Sequence, residues 1–347
     1  MIRLGIVGSN FGRNVLLPAF RADPRCEVTA LAGSDAAKAA KLAQESGVAR
    51  ACKTWRELVD DPSIDAVAIA APPALQPEIA VRALGKGKAV FAEKPLAPGV
   101  AEATHMVDAA KASRRPVMVD FEFPELPTWQ RAKALLDEGA LGALRHVVVT
   151  WQVENYATLH RLRSWKTSSE DGGGALGNLV SHCFHYLEYF CGPIESLSAR
   201  LFGLPGEERP SESIVALSGA FASGTGLSLS MSAASYLGSG HRLEIYGEDG
   251  TLTLVNPSAD YMRGFELRFA RRPATALERI DIAYPEQDRY PDSRIAPIAR
   301  LAARFLDAIE QGTTPSPGIR EGFRVQHLIE TARLSHDLGE TVTVDDE

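Results

Sequence analysis

Long apolar runs are missing from this sequence. The apolar run AVAIAAPP at 66–73 is far too short to span a bilayer. Cysteine is scarce: Cys26, Cys52, Cys183 and Cys191 form no CxxC pair and no zinc-type spacing. A reduced, cytoplasmic protein is the simplest expectation from that usage. Basic charge is in deficit, with 37 Lys and Arg against 44 Asp and Glu and a net charge of −7. That balance argues against a nucleic-acid surface and against a basic membrane-binding face. The opening residues MIRLGIVGSN carry no charged leader before an apolar stretch, so no signal peptide is expected. Internal repeats and low-complexity segments are also lacking.

What is present suits a packed protein. Of 347 residues, 45% are apolar and 23% charged, enough for a substantial core and more than one typical domain. Through the first 120 or so residues, short apolar runs alternate with helical patterns. Residues 2–8, 27–33, 65–71, 88–93 and 115–121 read as strands. Residues 12–22, 36–46 and 78–84 read as helices. Such alternation predicts a doubly wound parallel sheet covered on both faces.

The texture changes after Phe123. A helix is expected over 127–138, then strands at 144–155, 213–221, 226–235 and 241–247, with a hairpin signal at Glu248-Asp249-Gly250. Two late helices are expected near 295–311 and 320–338. The fold class is therefore α/β, with an N-terminal dinucleotide-type domain over 1–122 and an α+β domain over 123–347 built on a mixed or antiparallel sheet. The loop at 203–213 reads as the most flexible segment.

GIVGSNFGRN at 5–14 follows a strand and opens a helix, the context a dinucleotide fingerprint needs. Gly8 takes the first glycine position, Asn10 stands at the second, and Gly12 comes one residue early. Asn tolerates left-handed backbone angles, which would preserve the turn at Asn10. Gly8, Asn10, Phe11 and Gly12 are the candidate pyrophosphate cradle. The second strand ends without an acid in the usual place. Ser34, Arg13 and Lys38 could together receive a 2′-phosphate, or Asp35 could reach a free ribose hydroxyl, so NAD and NADP both stay open. Pro72-Pro73 and Glu93-Lys94-Pro95 stand where parallel strands should end, the edge at which open α/β sheets bind ligands.

GGGALGNLVSHCFHYLEYF at 172–190 raises a different question. Stepped at about 100° per residue, Asn178, His182, His185 and Tyr189 share one face while Leu179, Val180, Cys183, Phe184, Leu187, Phe190 and Cys191 occupy the other. A core helix with satisfied histidines, a metal helix using His182, His185 and Glu188, and a catalytic helix with one histidine as base all fit. The metal reading lacks an obvious third ligand. Upstream, HRLRSWK at 160–166 offers Arg163, Trp165 and Lys166 as candidate substrate contacts.

The stretches GIVGSNFGRNVLLPAF, DAVAIAAPPALQPEIAVRALGKGKAVFAEKPLA and GGGALGNLVSHCFHYLEYFCG resemble the glucose–fructose oxidoreductase/inositol dehydrogenase (Gfo/Idh/MocA) family over nearly the whole chain. The resemblance implies a nicotinamide-binding Rossmann domain, then an α+β domain with a large open sheet. It implies hydride transfer on a sugar, polyol or related small molecule, in a homodimer or homotetramer. Lys94 and His182 then correspond to catalytic positions, and Pro72, Pro73, Glu93 and Lys94 to the nicotinamide side. Asn178 stands where the family has an acid, and His185 where a further acid is expected. A catalytically degraded sensor, or a ketone or imine reductase of the same fold, are the alternatives those departures raise.

Overall fold

The computed structural model describes residues 1–206, 211–258 and 260–344. In chain order the strands and helices begin with β1 (Ile2–Val7), a π-helical turn Gly12–Leu16 continuing as α1 (Leu17–Arg21), β2 (Cys26–Ala32), α2 (Ala36–Glu45), β3 (Arg50–Cys52) and α3 (Trp55–Asp60). Then come β4 (Ala66–Ile69), α4 (Gln76–Gly85), β5 (Ala89–Ala92), α5 (Val100–Ser113), β6 (Val117–Val119) and α6 (Pro127–Asp137). The chain continues with β7 (Leu144–Gln152), α7 (Tyr156–Leu159), a π-helical turn Leu176–Val180 leading into α8 (Ser181–Cys191), β8 (Ile194–Phe202), β9 (Ile214–Phe221) and β10 (Gly226–Ser232). It ends with β11 (Gly240–Gly247), β12 (Gly250–Asn256), β13 (Glu266–Arg271), β14 (Glu278–Ile280), α9 (Ile295–Gln311), α10 (Ile319–Leu338) and β15 (Val342–Thr343). Part of the loop at 203–213, namely residues 207–210, lies outside the described residues.

The first unit comprises Met1–Glu122 together with Asp288–Gln326. Its six strands run in the order β3-β2-β1-β4-β5-β6, every pair parallel. Short, fully apolar strands such as AVAI and AVFA are buried on both faces, as parallel strands covered by helices must be. The return of residues 288–326 to this unit departs from the division at 122/123 alone. The cause is an apolar face on α9. Ile298, Leu301, Phe305 and Leu306 join the same core as Leu4, Phe20 and Phe91. Phe20, Phe91 and Phe305 form a triangle of edge-to-face rings at 5.3, 6.2 and 5.8 Å. Each such pair contributes about 1 kcal/mol beyond its burial. The helix stops at Gly312, whose φ of 66° makes a left-handed cap.

The second unit comprises Phe123–Gln287 and His327–Glu347. Its nine-stranded sheet has the order β14-β13-β12-β11-β7-β10-β9-β8-β15. Among the described residues of this sheet, β7 and β10 pair in parallel and the other strand pairs are antiparallel. The hairpin at Glu248-Asp249 joins β11 to β12. Along β7, Val147, Val149 and Trp151 point into the core while His146, Val148 and Thr150 point the other way. That outer face continues through the small side chains Ser198, Ser218, Ser228 and Ser230, with Arg200 beside them. Among the described residues, no helix is long and apolar enough to cross a membrane.

Candidate active site

Strand register builds one row of residues at the carboxyl edge of the first sheet. The Gly8 N–H donates to Ala32 O at 2.8 Å, Ala70 N–H to Val7 O at 2.7 Å, Glu93 N–H to Ile69 O at 3.1 Å and Asp120 N–H to Ala92 O at 2.9 Å. Each bond carries the ladder one residue past the regular strand. Gly8, Gly33, Ala70, Glu93 and Asp120 therefore leave the sheet side by side. The order reverses between β1 and β4, the switch point at which open sheets bind ligands.

The first turn of this edge fits a dinucleotide. Gly8 takes φ 131°, and a Cβ there would stand 2.5 Å from Ala70 O. A Cβ on Gly12 would stand 2.8 Å from Ile6 Cγ2. Both positions thus need a residue without a side chain, and the helix that follows opens with N–H groups that have no acceptor of their own. Asn10 departs from the expectation of a left-handed angle. Among the described residues, positive φ outside glycine occurs at Arg114, Arg161 and Leu237. Gly8 makes the turn instead, and the Asn10 side chain accepts from Asn14 Nδ2 at 3.2 Å.

Ser34, Asp35 and Lys38 are exposed at the start of α2. Asp35 caps that helix, its Oδ1 accepting from Lys38 N–H at 3.0 Å. Arg13 does not join them. Its guanidinium donates to Ser46 Oγ at 3.2 Å and to Asn14 Oδ1 at 3.1 Å, and lies 3.9 Å from Glu45. Glu45 and Ser46 end α2, about 15 Å from its start. The phosphate-binding set of Arg13, Ser34 and Lys38 is therefore not assembled.

Lys94 follows β5, next to a cis bond to Pro95. Gln76, wholly buried at the start of α4, holds this loop: its Nε2 donates to the carbonyls of Glu93, Pro95 and Leu96 at 2.6, 3.1 and 3.0 Å. Sequence patterning carries no sign of this, because the acceptors are main-chain groups about twenty residues away. Two more residues escaped it. Asp120 and Glu122 follow β6 in VDFEF and are 1% and 3% exposed. Their signal was available, since acids directly after an apolar strand stand at the same edge as Lys94. Burial lowers the Lys94 ammonium below its ordinary range, while Glu122, Glu93 and Asp120 act against that shift.

In the second unit the glycine triplet is a packing device. Gly174 has φ 78° and its α-carbon faces the Glu212 carboxylate. Glu212 Oε1 accepts from the Leu176 N–H at 2.9 Å, its carbonyl accepts from the Ala175 N–H at 2.9 Å, and Arg333 Nη1 approaches its Oε2 at 3.7 Å. Gly173 passes against the Trp165 carbonyl and donates to Ser168 O at 2.9 Å. The triplet thus ties the Arg163–Lys166 stretch to the head of the helix. Trp165 is half-buried, with Lys166 Nζ 5.7 Å from its ring centre, and Arg163 and Lys166 are exposed.

The two-faced pattern expected over 178–191 is not what forms. Residues 176–180 are π-helical, so a uniform 3.6-residue step does not apply across Asn178 and His182. From Ser181 to Leu187 every residue of α8 is buried. His182 is 3% exposed, with its ring edge-on to Phe123 at 5.2 Å. His185 is 8% exposed, and burial holds it down to about 3, so it is a neutral ring near pH 7. Asn178 and Tyr189 are half-buried. Beneath them Tyr186 Oη and His241 Nε2 form a buried hydrogen bond of 2.9 Å, and His241 stacks on Trp151 at 4.3 Å. Among the described residues no group of three or more His, Cys, Asp or Glu could hold a metal ion.

Comparison with known proteins places this architecture. Residues 2–121 match the model of the oxidoreductase family with an NAD-binding Rossmann fold, and residues 129–253 match the Gfo/Idh/MocA C-terminal domain. An uncharacterised oxidoreductase of Synechocystis sp. is 32% identical over 99% of this chain and 96% of its own length. Levoglucosan dehydrogenase of Pseudarthrobacter phenanthrenivorans is 34% identical over 47% of this chain and 42% of its own. D-xylose dehydrogenase of Paenarthrobacter nicotinovorans is 28% identical over 49% and 45%. A solved structure of levoglucosan dehydrogenase in complex with NADH and levoglucosan has a TM-score of 0.87 at 23% identity, covering 99% of this chain and 100% of that one. At that identity the likeness establishes the fold. The chain belongs to the Gfo/Idh/MocA family of oxidoreductases and carries that family's NAD-binding Rossmann domain.

Proposed function

We propose that the protein is a nicotinamide-dependent dehydrogenase acting on a secondary alcohol, or the matching ketone, of a sugar, polyol or sugar derivative. The observation that carries this reading is Lys94, a lysine held by Gln76 in the carboxyl-edge row of a family Rossmann sheet. Relatives named as levoglucosan and D-xylose dehydrogenases support the substrate class.

Gly8, Asn10, Phe11 and Gly12 would hold the pyrophosphate, Asp35 a ribose hydroxyl, and Pro72, Pro73 and Glu93 the nicotinamide side. Bound there, the cofactor supplies the hydride acceptor. Lys94 donates a hydrogen bond to the reacting oxygen and stabilises the negative charge that develops on it. His182, in its neutral form, accepts the hydroxyl proton. Asn178 orients substrate or His182 through its amide. It brings no charge to support a protonated imidazole, which is what the family acid would do. Arg163, Trp165, Lys166 and His185 are the candidate substrate contacts. The reading includes a homo-oligomer, with the small-residue face of β7–β10 as the surface to test by light scattering.

A sensor that binds nucleotide or sugar without turnover is the second reading, favoured by Asn178 in place of an acid. A ketone or imine reductase of the same fold needs that acid less. A panel of aldoses, polyols, anhydrosugars and nucleotide sugars, assayed with NAD and NADP at 340 nm, tests the proposal. Reduction of NAD by at least one sugar is expected. Cofactor binding with no turnover in either direction on any alcohol, ketone or imine would overturn it in favour of the sensor.

A further inference from the structure

Three carboxyl groups meet one lysine at the carboxyl edge of the first sheet. Strand register requires it. Ala92 pairs with Val119, so Glu93 and Lys94 leave β5 in step with Asp120 and Glu122 leaving β6. The Phe121 N–H closes back on Val119 O at 2.9 Å, which turns the chain and keeps both acids at the strand end. Arg294, before α9, also faces this group. Its guanidinium, however, is bidentate on Asp292 at 2.9 and 2.6 Å and lies 5.1 Å from the Phe11 ring. Lys94 is thus the main counter-charge to Glu93, Asp120 and Glu122.

Such a group cannot hold three negative charges. Neither Asp120 oxygen meets an N–H or hydroxyl donor, although the residue is only 1% exposed. The Glu93 carboxyl leaves the neighbouring strand end beside it. Two carboxyls hydrogen-bond only when one of them carries a proton. Burial raises Asp120 well above the ordinary carboxylate range, helped by the charges of Glu93 and Glu122. Glu122 differs. Burial pushes it up to about 7, with Lys94 as the strongest influence pulling it back. On Lys94, in turn, Glu122 acts more strongly than Glu93 or Asp120.

We propose that Glu122 is a positioning residue whose carboxylate keeps Lys94 an ammonium, while Asp120 and Glu93 share one proton and act together as a single carboxylate. The role in turnover rests on Lys94 being the catalytic cation; the charge relationship itself does not. The consequence is a window. Below about pH 7 Glu122 is neutral and the ammonium loses the counter-charge that acts on it most strongly. Above the Lys94 titration the ammonium itself is lost. Lys94 and Glu122 are both charged only between the two.

Competitive acetylation with acetic anhydride from pH 6 to 11, followed by mass spectrometry of the Lys94 peptide, reads the titration midpoint of this lysine without any turnover. In the wild type the midpoint should lie below the ordinary range of a lysine. Glu122→Gln should lower it further, by about one pH unit or more. Glu122→Asp should restore most of the loss. Asp120→Asn should leave the midpoint nearly in place, because its amide can donate to an ionised Glu93 and the net charge is kept. A Glu122→Gln midpoint equal to the wild type, or an Asp120→Asn shift as large as that of Glu122→Gln, would overturn the proposal. If Glu122→Gln does not fold, protein labelled with carbon-13 at glutamate Cδ decides. Lys94→Met should then move one carboxyl that titrates near neutrality to higher pH, and no such movement would equally overturn it. Absence of dehydrogenase activity defeats the proposed function and leaves these measurements intact.

Discussion

The buried amide of Gln76 lies 2.6 Å from the carbonyl oxygen of Glu93, one residue before Lys94. That contact, with the two to Pro95 and Leu96, fixes the backbone from which the lysine projects. Gln76→Ala leaves three carbonyls without this donor. A destabilisation of about 2 kcal/mol is expected by urea denaturation. Turnover should fall more than the folded fraction does, because the lysine loses its placement.

Gly174 tests the packing at the head of α8. Alanine there takes on both a left-handed angle and a clash with the Glu212 carboxylate. Gly47 offers the control, with φ 63° and no atom within 4 Å of where an added Cβ would sit. Gly47→Ala should cost about 1 kcal/mol, from backbone strain alone. Gly174→Ala should cost distinctly more, about 3 kcal/mol, read from denaturation midpoints. Equal costs would show that Glu212 moves aside freely.

Acid stability follows from the buried rings of the second unit. Burial holds both His185 and His241 down to about 3. A histidine lowered on folding contributes stability that is whole above its unfolded value near 6.5 and is lost as pH falls towards 3. At pH 5 the loss is about 2 kcal/mol for each ring. Glu122 has the opposite sign: raised to about 7, it contributes stability that is present below about 4.5 and lost as pH rises through 7. His185→Gln should therefore narrow the stability difference between pH 7 and pH 5. Glu122→Gln should instead reduce any loss between pH 5 and pH 8. Chemical denaturation at these pH values checks both.

Arg13 bears on cofactor choice. Its guanidinium is engaged at Ser46 and Asn14, at the far end of α2 from Asp35. With Arg13 held away from Asp35 and that carboxylate exposed, NADH should bind at least about tenfold more tightly than NADPH. Fluorescence titration measures the ratio. Asp35→Ala should reduce that preference and, as a lost helix cap, cost about 1 kcal/mol.

The parts of the fold legible in the sequence were those with a single strong pattern. The apolar strands β1, β2, β4 and β5 and the amphipathic α9 announced themselves, as did Gly8 and the Glu93-Lys94-Pro95 strand end. The three-residue β3 was too short for any period, and β8, with serine and arginine on its outward face, did not look like a strand. The separation of 122 from 288 hid the return of α9 to the first unit. Gln76 and Glu212 were invisible for a shared reason: each acts on main-chain groups that only the folded chain brings near. The even burial of α8 overrode a face that read as polar, because the helix is enclosed on the side where the histidines lie.

The central claim is that Lys94 and His182 carry the chemistry, and paired variants test it most directly. Lys94→Ala and His182→Ala should each lower kcat on the best sugar of the panel by about 100-fold or more, while NADH binding by fluorescence stays close to that of the wild type. Near-normal turnover in both variants, with the fold intact by circular dichroism, would contradict the account.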